Sequence, residues 1–487
     1  MSEETFLEEA GEAISKNVLG FNIFNLHEFI DQVGEWGVSR GIACMILFFG
    51  LYWILSLEIP NLFLFTFTWL AGTAPIWVPI GLIIATWRAW VWYIQSHFIA
   101  GRKPVLLEMK IPREITKSPR AMEVALTNLW LSSGETTFLD RGLKGQVRPF
   151  YALEMASFGG EMHFYIWCWG NYRNFVEQSI YGQYPEVELH EVEDYASKFV
   201  LDPHKHWCFA TDWRKEPHNK NGVYGSGDFP RSDCYPFKTY VDFELDKDPK
   251  EEHKVDPLAT ILELMGALKS DEQIWISLVI RRAGKYGILN TKERDAEWRE
   301  AMEEEVSKVR VAGAIVPQEL LENEMEKAGL DPENDRPPQI RPSWRQNQMM
   351  QSMERNLAKL PFEFVGHGVY ITTGEIRGPF FTSVRWIWKV LGNPSYMTHL
   401  RPRRWHNPFD YPWQDWGGYR RNNVTARRFF DAYRRRAGFH TPWILPSNIL
   451  TVEELATLWH PPSSSVQVPG LERIPATKSA PPSNLPK

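Results

Sequence analysis

The sequence predicts an α+β protein: an N-terminal transmembrane helical hairpin, then two ferredoxin-like α/β sandwich modules with an acidic helical insert and a Pro-rich tail. Three observations carry this. Residues 41–93 are so apolar, and so long, that they allow two bilayer crossings at about 20 residues per helix. Beyond them, period-2 and period-3.6 apolar patterns alternate in the order strand, helix, strand, strand, helix, strand, and a related series follows. A run of glutamates over 292–336 interrupts the second series, and proline and serine dominate the end of the chain.

The chain has 487 residues, a formal net charge of −6 and 22 tryptophans. That length accommodates a membrane segment plus two or three soluble domains. The modest charge selects no partner by itself. Cys44, Cys168, Cys208 and Cys234 form no CxxC pair, a pattern of a reducing compartment rather than a disulfide framework. The N-terminus is acidic (Glu3, Glu4, Glu8, Glu9, Glu12), unlike a secretory signal, so the apolar stretch is expected to be retained as an anchor.

Residues 1–37 are read as an amphipathic helical segment, lying on a membrane surface or packed on the soluble part. The hairpin occupies 38–98, with crossings near 39–57 and 62–86 and a polar turn at Glu58, Pro60 and Asn61. Pro75 and Pro79 fall inside the second crossing. Trp87, Trp90, Trp92 and Tyr93 form an aromatic belt at its exit, with Arg88 among them as a snorkelling cation or a buried functional charge. The turn carries no Lys or Arg. Lys16, Arg40, Arg88, Arg102 and Lys103 flank the hairpin, so the positive-inside rule places both ends in the cytoplasm. This layout is multi-pass, with cytoplasmic soluble domains.

The first module covers 99–196. Its strands are expected at 103–112, 147–158, 161–170 and 187–192, with helices at 118–130 and 171–181 and a hairpin at Gly159–Gly160. The second covers 197–398. Strands are expected at 197–211, 237–245, 273–282 and 362–373, helices at 256–269 and 342–360, and the insert at 292–336 is read as an acidic helical pair. An Arg-rich helical segment follows at 399–440. The Pro-rich remainder, 441–487, is read as a linker holding one short helix, 452–459, capped by Thr451 and Glu454.

Candidate sites are few. Arg420, Arg421, Arg427, Arg428, Arg434 and Arg435 recur in pairs seven residues apart, nearly two helical turns, so the pairs share a face. Such a face suits nucleic-acid phosphates, anionic lipid headgroups, the acidic insert in cis or an acidic protein partner. His204, His206 and Cys208 would project to one side of a strand as metal ligands could, against the plainer reading of half-buried or loop residues. No GxSxG and no GxxxxGK[ST] occurs, and no cofactor, metal or catalytic group is assigned: the chain reads as a non-enzyme.

Several stretches carry a resemblance. They are KPVLLEMKIPREITKSPRAME, FYALEMASFGGEMHFYIW, YRNFVEQSIYGQYPEVELHEVEDY, VDPLATILELMGALKSDEQIWISLVIR, RRFFDAYRRR and LTVEELATLWHPPSSSVQVPGLERIPATKSAPPSNLP. Over about residues 80–487 the chain resembles an uncharacterised family of membrane-anchored proteins of candidate-phyla bacteria. Many of its members resemble the N-terminal, non-motor half of type IV secretion or conjugative-transfer ATPases. The resemblance implies a platform at the bacterial inner membrane that docks or tethers a separate P-loop ATPase, and it supplies no catalytic residues to carry over. Membrane lipid, that ATPase, nucleic acid bound by the arginines and a second copy of the chain are the partners it leaves open. A membrane-associated nucleic-acid-binding protein is the alternative reading.

Overall fold

The structure is a computed structural model. It describes residues 40–59, 61–115, 117–131, 137–202, 204–217, 232–247, 255–284, 293–314, 343–392, 398–403, 426–440, 442–445, 447–464 and 466–475. The expected helix over 1–37, most of the second half of the insert, and Arg420 and Arg421 lie outside them.

The chain divides into two compact units, and residues 40–90 supply the described part of the first. Helix α1 (Arg40–Glu58) and helix α2 (Leu62–Ala100) meet at a turn where Asn61 takes φ 65°. That is left-handed backbone, which asparagine tolerates better than most residues. Tyr52 and Thr66 share a hydrogen bond of 2.6 Å between the two helices. Phe48, Trp53, Phe63, Trp69 and Ile83 are exposed, and α2 is long and apolar enough to cross a membrane, with none of its apolar window buried. The sequence places the end of this helix near 86, but it continues unbroken to Ala100, and Pro75 and Pro79 do not end it. The belt residues are themselves helix-compatible. The stop comes at Gly101, whose N–H bonds to the His97 carbonyl.

In the second unit the chain runs β1 (Pro104–Pro112), α3 (Pro119–Asn128), α4 (Phe138–Gly142), β2 (Phe150–Phe158), β3 (Glu161–Trp169), α5 (Arg173–Tyr181), β4 (Glu188–Val192) and α6 (Tyr195–Lys198). It continues as β5 (Trp207–Pro217), α7 (Pro257–Gly266), β6 (Glu272–Arg282), α8 (Arg294–Ala314), α9 (Trp344–Leu357), β7 (Pro361–Thr372) and α10 (Gly378–Arg385). Then come β8 (Thr398–Arg403), α11 (Ala426–Arg434), β9 (Asn448–Thr451), α12 (Val452–Leu458) and β10 (Arg473–Ile474).

The strands form one sheet, not two. Its path is β10-β1-β3-β2-β6-β7-β5-β8, with β4 also on β1 and β9 on β7. All the pairings are antiparallel except β1 with β10. Strands β4-β1-β3-β2 make one half and β6-β7-β5-β8 the other, and β2 against β6 joins them, from Phe150 opposite Arg281 to Phe158 opposite Gln273. The expected separation into two modules is thus replaced by a seam of main-chain hydrogen bonds. Both seam strands are apolar on both faces, the mark of central rather than edge strands.

One face of the sheet carries the principal core. Leu107, Leu153, Met155, Ile166, Ile276, Leu278 and Phe364 pack there against Met122 and Leu126 of α3, Val176 and Ile180 of α5, Ile261 and Leu262 of α7, and Leu455 and Leu458 of α12. Each fully buried side chain of this kind stabilises the fold by roughly 1.5–3 kcal/mol. A smaller cluster joins Trp298, Met302 and Val309 of α8 to Met349 and Met353 of α9. The insert's one described helix therefore packs with α9 through an apolar stripe that its glutamates conceal. Gly159 and Gly160, at φ 60° and 97°, make the tight β2–β3 hairpin, as the glycine pair predicts.

Four expectations change. Residues 237–245 are not a strand: they run into consecutive turns fixed by the Asp242 carboxylate accepting from the Thr239 N–H at 2.9 Å. The strand placed at 197–211 is β5, beginning only at Trp207, and 195–198 is a helical turn. The helical reading of 399–440 gives way to strand β8 at its start, where Pro402 is admissible because β8 ends the sheet path. The segment from 441 is not a free linker over its described length. It supplies β9, the entirely buried α12 and β10, which pairs in parallel with β1.

Candidate interaction site around the arginine helix

Helix α11 is organised by its pattern of pairs. Ala426, Phe429, Phe430, Ala432 and Tyr433 are buried, while Arg427, Arg428, Arg434 and Arg435 are exposed. The seven-residue step therefore puts the two described pairs on one solvent face, as helical geometry requires. Arg435 reaches back to Asp431 one turn earlier, Nε to Oδ2 at 2.9 Å, and the Trp443 indole N–H donates to the same carboxylate at 2.7 Å. Ion pairs of the acidic helix α8 include Asp295 with Arg299, Glu304 and Glu305 with Lys308, and Arg310 with Glu354 of α9.

Arg436 ends α11 in a different role. Its φ is 46°, and the Ala437 N–H closes on the Ala432 carbonyl at 2.9 Å, the arrangement in which helices usually place glycine. Holding a non-glycine residue there costs about 1–2 kcal/mol. The side chain offsets that cost. It is 1% exposed and bonds Glu154 of β2 through Nε (3.0 Å) and Nη2 (3.1 Å), and Asp194 through Nη1 (2.6 Å) and Nη2 (2.9 Å). Ser277 of β6 and Tyr195 of α6 each donate to Glu154 at 2.9 Å, and Tyr195 shares a hydrogen bond of 2.6 Å with Tyr433. Tyr165, Trp275, Phe158 and Phe199 pack their rings on Tyr195 or Trp275 around this cluster.

Electrostatics follow from that geometry. Burial pushes the Asp194 carboxyl up, but the hydrogen bonds and charge of Arg436 outweigh it and leave it below the usual carboxylate range. Burial alone would depress the Arg436 guanidinium; the facing carboxylates hold it well above its ordinary value instead. Burial also raises the Tyr195 and Tyr433 hydroxyls well above theirs, so both stay protonated donors. The cluster is a locked ion pair spanning the seam strands β2 and β6, and it fixes the helix that displays the exposed arginines. Sequence reasoning counted Arg436 only as one more basic residue. A single carboxylate, Glu154, at the centre of an otherwise apolar strand was the available signal, because such a charge requires a partner.

The other candidates are dispersed. His204 is exposed in a turn before β5, and His206 accepts the Asp202 N–H at Nδ1, 3.0 Å away. Both precede the strand, so the alternation that would have aligned them with Cys208 does not apply. Burial pushes the Cys208 thiol up to about 12. Among the described residues no group of three His, Cys, Asp or Glu side chains could hold a metal ion. In the exit segment of α2, Arg88, Trp90, Trp92 and Tyr93 are exposed and Trp87 is half-buried.

No protein-family model matches the sequence, and comparison with curated proteins and with solved structures found no match.

Proposed function

We propose that the protein is a membrane-anchored, non-catalytic platform, held by the α1–α2 hairpin in a bacterial inner membrane with its sheet unit in the cytoplasm. In this reading the sheet is two ferredoxin-like modules fused side by side, since β4-β1-β3-β2 and β8-β5-β7-β6 repeat one strand order with helices on one face. The platform serves a conjugation or type IV secretion-like transport system and docks a separate P-loop ATPase. The observation that carries the reading is the continuity of α2. One helix runs from an exposed apolar span to Ala100, and only residues 101–103 separate it from β1.

Docking belongs to the exposed arginine face of α11 rather than to the short tail helix, because every residue of α12 is buried in the core. An affinity pull-down from solubilised membranes tests the proposal. The full-length protein should recover a nucleotide-binding partner, and the Arg427→Gln, Arg428→Gln, Arg434→Gln, Arg435→Gln variant should not. Repeated failure of the unmodified protein to recover any such partner removes the ATPase-docking reading.

A second reading draws on the same quartet. Two pairs of exposed guanidiniums on one helix face also suit a nucleic-acid backbone. DNA retention that falls steeply with salt, and that vanishes in the same variant, would select it.

A further inference from the structure

Helix α4 is short, and its two aliphatic side chains point the wrong way for a core. Leu139 is 55% exposed and Leu143 52%, beside Phe138 at 40%. This exposure is not the result of a loose loop. Thr137 and Asp140 close a capping box at the start of the helix, and the N–H groups of Leu143 and Lys144 both bond to the Leu139 carbonyl at its end. The chain then turns at Gly145, which has φ 63° and is buried. A Cβ at Gly145 would come within 2.6 Å of the Ile94 carbonyl carbon and oxygen, so the α4 turn rests directly on the main chain of α2.

The place of that contact gives the exposed leucines a meaning. Ile94 follows Tyr93, which is 63% exposed, and Trp92, which is 51% exposed. One helical residue is about 1.5 Å along the axis, so α4 is seated at the level of the aromatic exit. Lys144 is exposed beside it and pairs with Asp140 at 2.9 Å, and Arg102, at the end of α2, stacks over Phe98 with its guanidinium 4.5 Å from the ring centre. An apolar ledge level with interfacial aromatics is complementary to the boundary between acyl chains and headgroups.

We infer that α4 is a second membrane contact: Leu139 and Leu143 enter the lipid interface beside the exit of α2. The inference rests on the anchor reading above.

The test uses the full-length protein in vesicles of phosphatidylethanolamine and phosphatidylglycerol. A Cys44→Ser background leaves Cys168, Cys208 and Cys234, all buried, and burial pushes the Cys168 and Cys208 thiols up to about 12, out of reach of labelling at neutral pH. An environment-sensitive fluorophore is attached at Leu139→Cys, Leu143→Cys, Tyr93→Cys or Lys269→Cys. Lys269 is exposed at the far end of the seam strands from Phe150, about 30 Å away along nine residues of strand. The expected result is at least twofold quenching by nitroxide-bearing lipid at 139, 143 and 93, and none at 269. Quenching at 93 with 139 and 143 behaving like 269 overturns the ledge and leaves the anchor standing, as would be seen if a protein partner covered the leucines. Absence of quenching at all four sites overturns the ledge and the anchor together.

Discussion

Replacing Arg436 with methionine removes the cation from between Glu154 and Asp194 while keeping a side chain of comparable length. Glu154 is fully buried, so its charge loses its only cationic contact in the cluster and keeps the Ser277 and Tyr195 hydroxyls. Breaking a buried pair from one side costs about 3–5 kcal/mol. Two donors remain, and Asp194 is partly open to solvent, so the lower end applies here, about 3 kcal/mol. For a unit larger than 250 residues the melting midpoint moves about 2 °C per kcal/mol, which predicts a fall of roughly 6 °C. Intrinsic tryptophan fluorescence of the detergent-solubilised full-length protein, to which Trp275 contributes with its ring centre 5.7 Å from that of Tyr433, reports the transition. Adding Glu154→Gln should restore about 2 kcal/mol, because the orphaned charge is then gone. A loss below about 1 kcal/mol for Arg436→Met, or strict additivity of the two changes, would refute the claim that this pair locks α11 to the sheet.

Two further outcomes follow from the packing and the titrating groups. Leu455→Ala, at a fully buried position of α12, should destabilise by about 2–5 kcal/mol, and Thr451→Ala, which opens the capping box, by about 1 kcal/mol; chemical denaturation measures both, and neutral values would return the tail to the status of a linker. Stability should also fall on acidification. Glu108 is held below its ordinary range first by the His163 hydrogen bond; for Asp194, Asp256 and Glu272 burial is the largest single effect and pushes them up, but hydrogen bonds and charges led by Arg436, His460 and Arg377 respectively together bring them below it. Depressed carboxylates contribute stability above their unfolded values near 4 that is lost as pH falls through the folded ones. Glu453, raised by burial, works in the opposite sense and offsets only part of the loss. A melting midpoint that is unchanged or higher at pH 4 than at pH 7 contradicts this balance.

What the sequence disclosed was local. The apolar period of α3, the Gly159–Gly160 turn, the paired faces of α11 and the Thr451 cap all depend on neighbours within a few residues, and each is where the pattern puts it. What it concealed was pairing between distant segments. Nothing in β2 names β6 as its neighbour, so the single sheet was not legible. The tail misled through composition: its prolines and serines suggest an extended linker, yet Lys215 meets Glu454 at 2.7 Å and Arg355 meets the buried Glu453 at 3.0 Å. Residues 237–245 misled through alternation, because local side-chain bonds from Thr239 and Asp242 satisfy the backbone without a strand partner. The arginine face was visible; the buried pair beneath it was not, since Glu154, Asp194 and Arg436 are brought together only by the fold.

The C-terminal stretch has a consequence for how the chain reaches its native state. Strand β9 pairs with β7 in one half of the sheet, and β10 pairs with β1 in the other, a partner more than 300 residues earlier in the chain. Neither half is complete until residues 448–474 have left the ribosome. At about 5–20 residues per second, the apolar hairpin is synthesised many seconds before the segments that finish the sheet. During that interval the Ile111–Pro112 end of β1 and the Pro361–Phe364 end of β7 lack these partners, and the closing contacts carry the loop-closure penalty that makes such topologies slow to form. Biogenesis therefore includes a dwell in which an unfinished sheet is open to chaperones, to mispairing with a neighbouring nascent chain, and to proteolysis.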